Sequence, residues 1–282
     1  MIGAIVGDIA GSRFEFDNCK DKDFELFVRS APIDGMSSID TDATLVESVY
    51  TDDSVMTLAV ADAVCRWKDS GVTSYDELSL FAVESMREFG KMDPLAGYGG
   101  RFEIWLHDET MEPYNSWGNG AVMRVSACGW AGRTLDEVKA MSRAVTEITH
   151  NHPEGIKGAE ATAIATFLAR TGNSKEEIRS VIVQDYYALD FTLDEIRPGY
   201  EFDVSCQGSV PQALEAFIES TSFEDAIRNA VSIGGDSDTI AAICGAVAGV
   251  VYGVPGDIRA KAETFLSPRL LETLHSFESR FC

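Results

Sequence analysis

Two short segments set carboxylates and a threonine hydroxyl side by side: YTDDS at residues 50–54 and GGDSDT at residues 234–239. Thr51, Asp52 and Asp53 stand where one apolar-periodic run begins, and Asp236, Asp238 and Thr239 stand where another begins. For either segment alone, helix capping is a sufficient account, because Asp and Thr are favoured N-caps and suit the positive end of the helix dipole. Such a cap is worth roughly 1 kcal/mol. If the segments converge, the balance changes. Two carboxylates about 5 Å apart repel by roughly 3 kcal/mol at an effective dielectric of about 20. Convergence would then require protonation or intervening cations, and carboxylates with threonine hydroxyls are hard oxygen donors that suit Mg²⁺ or Mn²⁺ rather than zinc.

Other residues could complete such a site. In GDIAGSRFE, Asp8 and Glu15 are seven apart, about two helical turns, among glycines that permit close approach. NSWGNGAVMR is a Gly/Asn-rich turn leading into a helix, and its backbone amides at Ser116, Trp117, Gly118, Asn119 and Gly120 could cradle a phosphate. DPLAGYGGRF is a second glycine turn, carrying Tyr98 and Gly99. His150, in THNHPEG, could hydrogen-bond a phosphate or sugar, although a lone His at a helix end is more often a cap. Trp117 is open to two readings, a surface that packs on a ligand or a rim aromatic.

These residues need rigid elements to hold them, and helical period dominates the chain. TLDEVKAMSRAVTEITH opens with Thr134 and Glu137 at capping-box spacing and puts Leu135, Val138, Met141, Ala144, Val145 and Ile148 on one face. Similar starts recur at Ser74/Glu77, Ser174/Glu177 and Thr192/Glu195, with Gly71 and Gly172 as stops. Met56, Ala59, Val60, Ala63 and Trp67 form one stripe, and Gly245 and Gly249 would admit a second helix at close range. The best strand-like stretch is FELFVRS, residues 24–30. The polar segment 17–42 reads as one long connection, of a length used for lids and binding loops. No linker or repeat divides the chain, so one all-α domain over residues 1–282 is expected.

Composition narrows the function classes. With 23 Lys+Arg against 46 Asp+Glu, the formal net charge is −23, which argues against non-specific binding to nucleic acid or to an anionic membrane. The six cysteines are scattered singly, suggesting neither a zinc framework nor a disulfide lattice, and a reducing cytoplasm is the expected compartment. The run TIAAICGAVAGVVYGV is too short to span a bilayer comfortably and reads as a buried helix.

In order and spacing, GDIAGSRFE, YTDDS, GYGG, SWGNGAVMR, THNHP and GGDSDTIAAICGAVAG resemble the ADP-ribosylglycohydrolase family, which includes the dinitrogenase reductase-activating glycohydrolases. The widely separated TDDS and GGDSDT pair is the specific part. The resemblance implies a multi-helix domain with a two-metal centre, Mg²⁺ or Mn²⁺, in a cleft for ADP-ribose, and a substrate that is an ADP-ribosylated protein or small molecule. It further implies Thr51, Asp52, Asp53, Asp236, Asp238 and Thr239 as metal ligands, with Glu15 or Asp53 taking the proton from the attacking water. Residues 116–120 would form the phosphate turn, and Tyr98, Gly99 and His150 would line the cleft. Ser54 departs from the threonine of many members, and the adenine-stacking aromatic is not placed by the alignment of motifs. Two rivals are a non-catalytic ADP-ribose binder and a D-x-D phosphohydrolase; against the second, glycines precede the aspartates and Ile240 stands where Thr or Val would follow.

Overall fold

Side-chain caps begin most of the helices, and three glycines, Gly71, Gly172 and Gly253, close helices where the backbone turns left-handed. The computed structural model describes residues 1–29 and 46–282. Its helices are α1 (Ile2–Gly11), α2 (Asp52–Ser70), α3 (Tyr75–Met92), α4 (Gly100–His107), α5 (Ser126–Ala131), α6 (Leu135–Thr146) and α7 (Pro153–Arg170). They continue with α8 (Lys175–Asp185), α9 (Leu193–Ile196), α10 (Cys206–Glu219), α11 (Phe223–Val231), α12 (Ser237–Val251), α13 (Gly256–Glu263) and α14 (Pro268–Phe281). Among the described residues there is no strand, only an isolated antiparallel bridge between Gly118 and Ser205. The all-α expectation is met.

The starts differ in detail from the capping boxes expected. Ser174/Glu177 and Thr192/Glu195 form the full reciprocal box. Thr134 accepts from the Glu137 amide, but the Glu137 carboxylate turns instead to the Arg133 amide and to Lys68. Ser74 caps the amide of Asp76. Gly71 and Gly172 close α2 and α7 with φ of +70° and +85°, a backbone region that costs an L side chain roughly 1–2 kcal/mol. On α6, Val138, Met141, Ala144 and Val145 are buried, whereas Leu135, expected on the same face, is exposed because it belongs to the first turn at the domain edge.

The centre of the fold is α12, apolar on all sides and buried from Ser237 to Ala248. Helix α1 lies against it at a distance only glycine allows. A Cβ on Gly3 would overlap the Gly245 carbonyl, one on Gly7 the Ala241 carbonyl, and one on Gly11 the backbone of Asp238. The Gly245/Gly249 pair therefore does admit a neighbour, and that neighbour is α1.

The stretch at residues 24–29 forms no strand and bends at Phe24 and Leu26; Val28 exchanges hydrogen bonds with Ser48, its amide donating to the Ser48 hydroxyl and its carbonyl accepting the Ser48 amide. Of the long connection at 17–42, residues 30–42 lie outside the described residues. The described part is tied down by polar contacts: Arg13 donates to the Glu25 carbonyl, and Arg228 donates to the carbonyls of Lys22 and Phe24.

Because the α1–α12 contact has no space for a side chain, Gly7→Val is expected to lower unfolding free energy by at least about 3 kcal/mol in urea titrations. Gly71→Ala, which meets open space and pays only for its positive φ, should cost about 1 kcal/mol. Similar losses for the two variants would refute the packing argument.

Candidate active site

Asp8 organises one half of the site. Its carboxylate, fully buried on α1, accepts from the Thr51 amide and hydroxyl at 3.0 and 2.7 Å and from the Ser54 amide at 3.0 Å. The Ser54 hydroxyl donates to it as well. These four donors fix the start of α2. Thr51 is the actual N-cap, accepting from the Asp53 amide at 3.2 Å, so the Asp52 and Asp53 carboxylates are not needed for capping. The Asp52 amide donates to Ala96, which ties this turn to the GYGG turn, and Gly97 stands beside the Asp52 carboxylate.

The other half is set by the double glycine. Gly234 and Gly235 take φ of +78° and +69°, which delivers Asp236 and Asp238 to the start of α12. The turn is pinned from outside. Asn18 accepts from the Gly235 amide at 3.0 Å, and the Lys20 ammonium donates to the carbonyls of Tyr200 and Ile233, each at 2.6 Å. Asp236 occupies the N-cap position of α12 without making a side-chain cap hydrogen bond; its carboxylate accepts from the Asn119 amide group at 2.6 Å. A D-x-D pair at a helix start, with no strand before it, also removes the geometry the phosphohydrolase reading needs.

The two halves meet. The Thr239 hydroxyl donates to Asp53 at 3.1 Å across 186 residues of sequence. Glu15, Asp236 and Asp238 each offer an oxygen within 4.8 Å of the others. Burial raises every carboxyl here, and mutual repulsion adds to it: Asp52, Asp53 and Asp238 lie well above the usual range, and Glu15 is pushed up to about 7. Asp8 is raised to about 6 by burial despite its four donors. Asp53 Oδ1 is buried and has no hydrogen-bond partner among the described residues. An unpartnered buried carboxylate oxygen within an all-oxygen donor set is what a hard divalent cation would satisfy.

A cavity of about 310 Å³ opens over this cluster. Glu15, Asp52, Asp53, Asp236, Asp238 and Thr239 line it, as do Gly99, Ser116, Gly118, Asn119, Gly120 and His150. Thr51, Tyr98 and Trp117 do not. Thr51 lies just beneath the floor, its hydroxyl engaged with Asp8. The Tyr98 ring packs on Phe102 at 5.8 Å, behind the wall. Trp117 is half-exposed beside His152. The phosphate-turn reading also changes in detail: the Gly118 amide donates to the Ser116 hydroxyl and the Asn119 amide to the Val204 carbonyl, so neither is free for a ligand. Positive charge comes instead from Arg101 and from the fully buried Arg124, both on the cavity wall.

A family profile described as ADP-ribosylglycohydrolase matches residues 1–278. The chain belongs to the ADP-ribosylglycohydrolase family. It is 26% identical to the mouse (Mus musculus) ADP-ribosylhydrolase ARH3 over 98% of this chain and 90% of that protein. It is 24% identical to the ADP-ribosylarginine hydrolase Tri1 of Pseudomonas putida (strain GB-1), over 91% of this chain and 70% of that one. A solved structure described as an ADP-ribosylglycohydrolase-related protein complex shares the fold, with a TM-score of 0.65 at 22% identity, covering 98% of this chain and 95% of that chain. As a family member the chain is a hydrolase of the glycosidic bond that joins ADP-ribose to its acceptor, and it carries an acidic group able to hold metal.

Sequence reading assigned no specific role to three contributors. Asp8 was visible as the one charge in the apolar helix IGAIVGDIAG, but its four donors come from residues more than forty positions away. Arg124 closes the motif NSWGNGAVMR and Tyr114 stands just before it, neither with a signal of its own.

The raised carboxyls make a pH prediction. Each binds its proton more tightly folded than unfolded, so their contribution to stability is present at low pH and lost as pH rises through about 6 to 7. In EDTA the melting temperature should therefore fall between pH 6 and pH 8 at fixed ionic strength. Added Mn²⁺ or Mg²⁺ should flatten that slope by replacing protons with cation charge. A slope that cations leave unchanged would count against a metal centre.

Proposed function

We propose that the acidic side of the cavity holds two divalent cations, Mg²⁺ or Mn²⁺, and that the protein releases ADP-ribose from a modified protein side chain or a small acceptor. The observation that carries this reading is the unpartnered, buried Asp53 Oδ1 amid converging carboxylates. Asp52 and Asp53 on one helix start, and Asp236, Asp238 and Thr239 on the other, are the ligands within the cavity. Thr51 joins them with the one lone pair that remains after its hydroxyl, which donates to Asp8, accepts from the Asp53 amide. Bound cations would supply the charge that orients ribose hydroxyls and lowers the pKa of water.

The chain's own groups do the rest. Glu15, with a carboxyl near pH 7, is suited to take up and return a proton at neutral pH, and Asp53 is the second candidate base. Any swing of Glu15 as part of a lid works against the bonds at Asn18 and Lys20. Ser116, Asn119, Gly120, His150 and Gly99 supply the wall against which the diphosphate and sugar would lie, with Trp117 at the rim and Tyr98 behind. Six free cysteines suit a reducing cytoplasm, and no helix of the described residues is long and apolar enough to cross a membrane.

The test is a panel of arginine- and serine-linked ADP-ribosyl peptides and a small-molecule conjugate, each incubated with Mg²⁺, Mn²⁺ or EDTA. Free ADP-ribose should appear with cation and not with EDTA. Asp52→Asn and Asp238→Asn should remain folded, because Thr51 rather than Asp52 caps α2 and Asn is nearly isosteric with Asp. Each should weaken calorimetric metal binding at least about tenfold and reduce turnover by about a hundredfold or more. Wild-type hydrolysis by both variants would overturn the ligand assignment.

A further inference from the structure

Behind the glycine turn runs a three-residue chain of hydrogen bonds that ends on the cavity. The Arg124 guanidinium donates to the Thr149 hydroxyl at 2.7 Å, and that hydroxyl lies 2.8 Å from His150 Nδ1. All three side chains are buried, and Arg124 and His150 also face the cavity. His150 Nε2 points the other way, toward the turn, and lies 3.4 Å from where a Cβ on Gly120 would stand and 3.7 Å from one on Gly118.

Proton counting gives this chain a direction. A guanidinium only donates, so Thr149 Oγ1 is an acceptor toward Arg124. The single threonine proton then has two acceptors within reach, His150 Nδ1 at 2.8 Å and the Thr146 carbonyl at 3.5 Å. The nearer one makes the better bond. The opposite arrangement, with a proton on Nδ1, would have Oγ1 accept from two donors at once and leave its own proton the long contact to Thr146.

We propose that Arg124 and Thr149 are positioning residues that hold His150 as the neutral Nε2–H tautomer, so that it donates into the cavity to a phosphate oxygen of a nucleoside diphosphate sugar. The identity of that ligand rests on the function proposed above; the tautomer does not. Burial, and after it the neighbouring Arg124 charge, drives the His150 pKa well below its usual value, which keeps the ring neutral at pH 7. Tyr114, with its ring 5.8 Å from that of His150, is raised to about 12 by burial and stays neutral as well. Thus, while Arg101 acts on Tyr114, the charge bonded to this chain is that of Arg124. Its Nε has no partner among the described residues, and its charge stands behind the donor rather than in its place. This arrangement compensates for the amides of Gly118 and Asn119, which are spent inside the protein.

The tautomer is read by ¹⁵N-edited NMR of the histidine ring in the free, full-length protein at neutral pH. Wild type should show a protonated Nε2 and an Nδ1 that accepts. Thr149→Val should release the ring into a mixture of tautomers, and Thr149→Ser should restore the single form. In calorimetry, Thr149→Val should weaken binding of ADP-ribose and of inorganic pyrophosphate about tenfold, leave adenosine unchanged, and be rescued by Thr149→Ser. A wild-type Nδ1–H tautomer or imidazolium overturns the proposal, and so does a Thr149→Val protein with wild-type tautomer and affinities. If Thr149→Val does not fold, the wild-type spectrum alone decides. A wild type with the stated tautomer that binds no ADP-ribose would remove the function proposed above and the phosphate role with it, while the hydrogen-bond chain itself stands.

Discussion

Helix α1 touches α12 backbone to backbone, and most of the site's geometry depends on that contact. With Gly3, Gly7 and Gly11 against α12, the first helix is held at one depth and one rotation. At that rotation Asp8 faces the start of α2 and collects four donors there. Gly11 seats directly on Asp238, and the chain leaving α1 carries Glu15 to within reach of Asp236 and Asp238. Three carboxylate-bearing segments far apart in sequence are thereby registered against each other by the absence of side chains.

The cost of this convergence is electrostatic, and the fold concentrates it in a small volume. A protein with a net charge of −23 could spread its acids over the surface, where water screens them. Here several are buried together, each making the next harder to ionise. Such an arrangement is unfavourable as scaffolding and persists where function requires it. The cavity lining also carries Arg101 and Arg124, so it holds charges of both signs. A ligand with both cation-binding hydroxyls and phosphates matches that mixture.

Much of the fold could be read from the sequence because helix starts and stops are local chemistry. Ser174 with Glu177, Thr192 with Glu195, Gly71 and Gly172 all behaved as their residue types require. The paired acidic segments could be read for the same reason, each being contiguous. Harder to see were residues whose meaning depends on a distant partner. Asp8 could be named as a candidate beside Glu15, but its part in fixing the start of α2 was hidden until its donors were in view. Thr149 opens the motif THNHP, yet only its histidine drew a reading, and the amides of the glycine turn looked available because the segment around Val204 that consumes one of them lies far along the chain. Leu135 shows the converse limit: periodicity assigns a face, but whether the first turn of that face is covered depends on what packs beside it.

The α1–α12 contact also sets a clock. Gly11 receives a hydrogen bond from Ser237, 226 residues further on. On a ribosome adding about 5–20 residues per second, α1 waits roughly 10 to 50 seconds for its partner. Through that interval its apolar, glycine-rich surface has nothing to lie against, and neither Asp8 nor the start of α2 has its final surroundings. A topology that closes so late is slow to complete and vulnerable while open. The first helix made is thus among the last to be covered, and the site it organises cannot exist until nearly the whole polypeptide has been made.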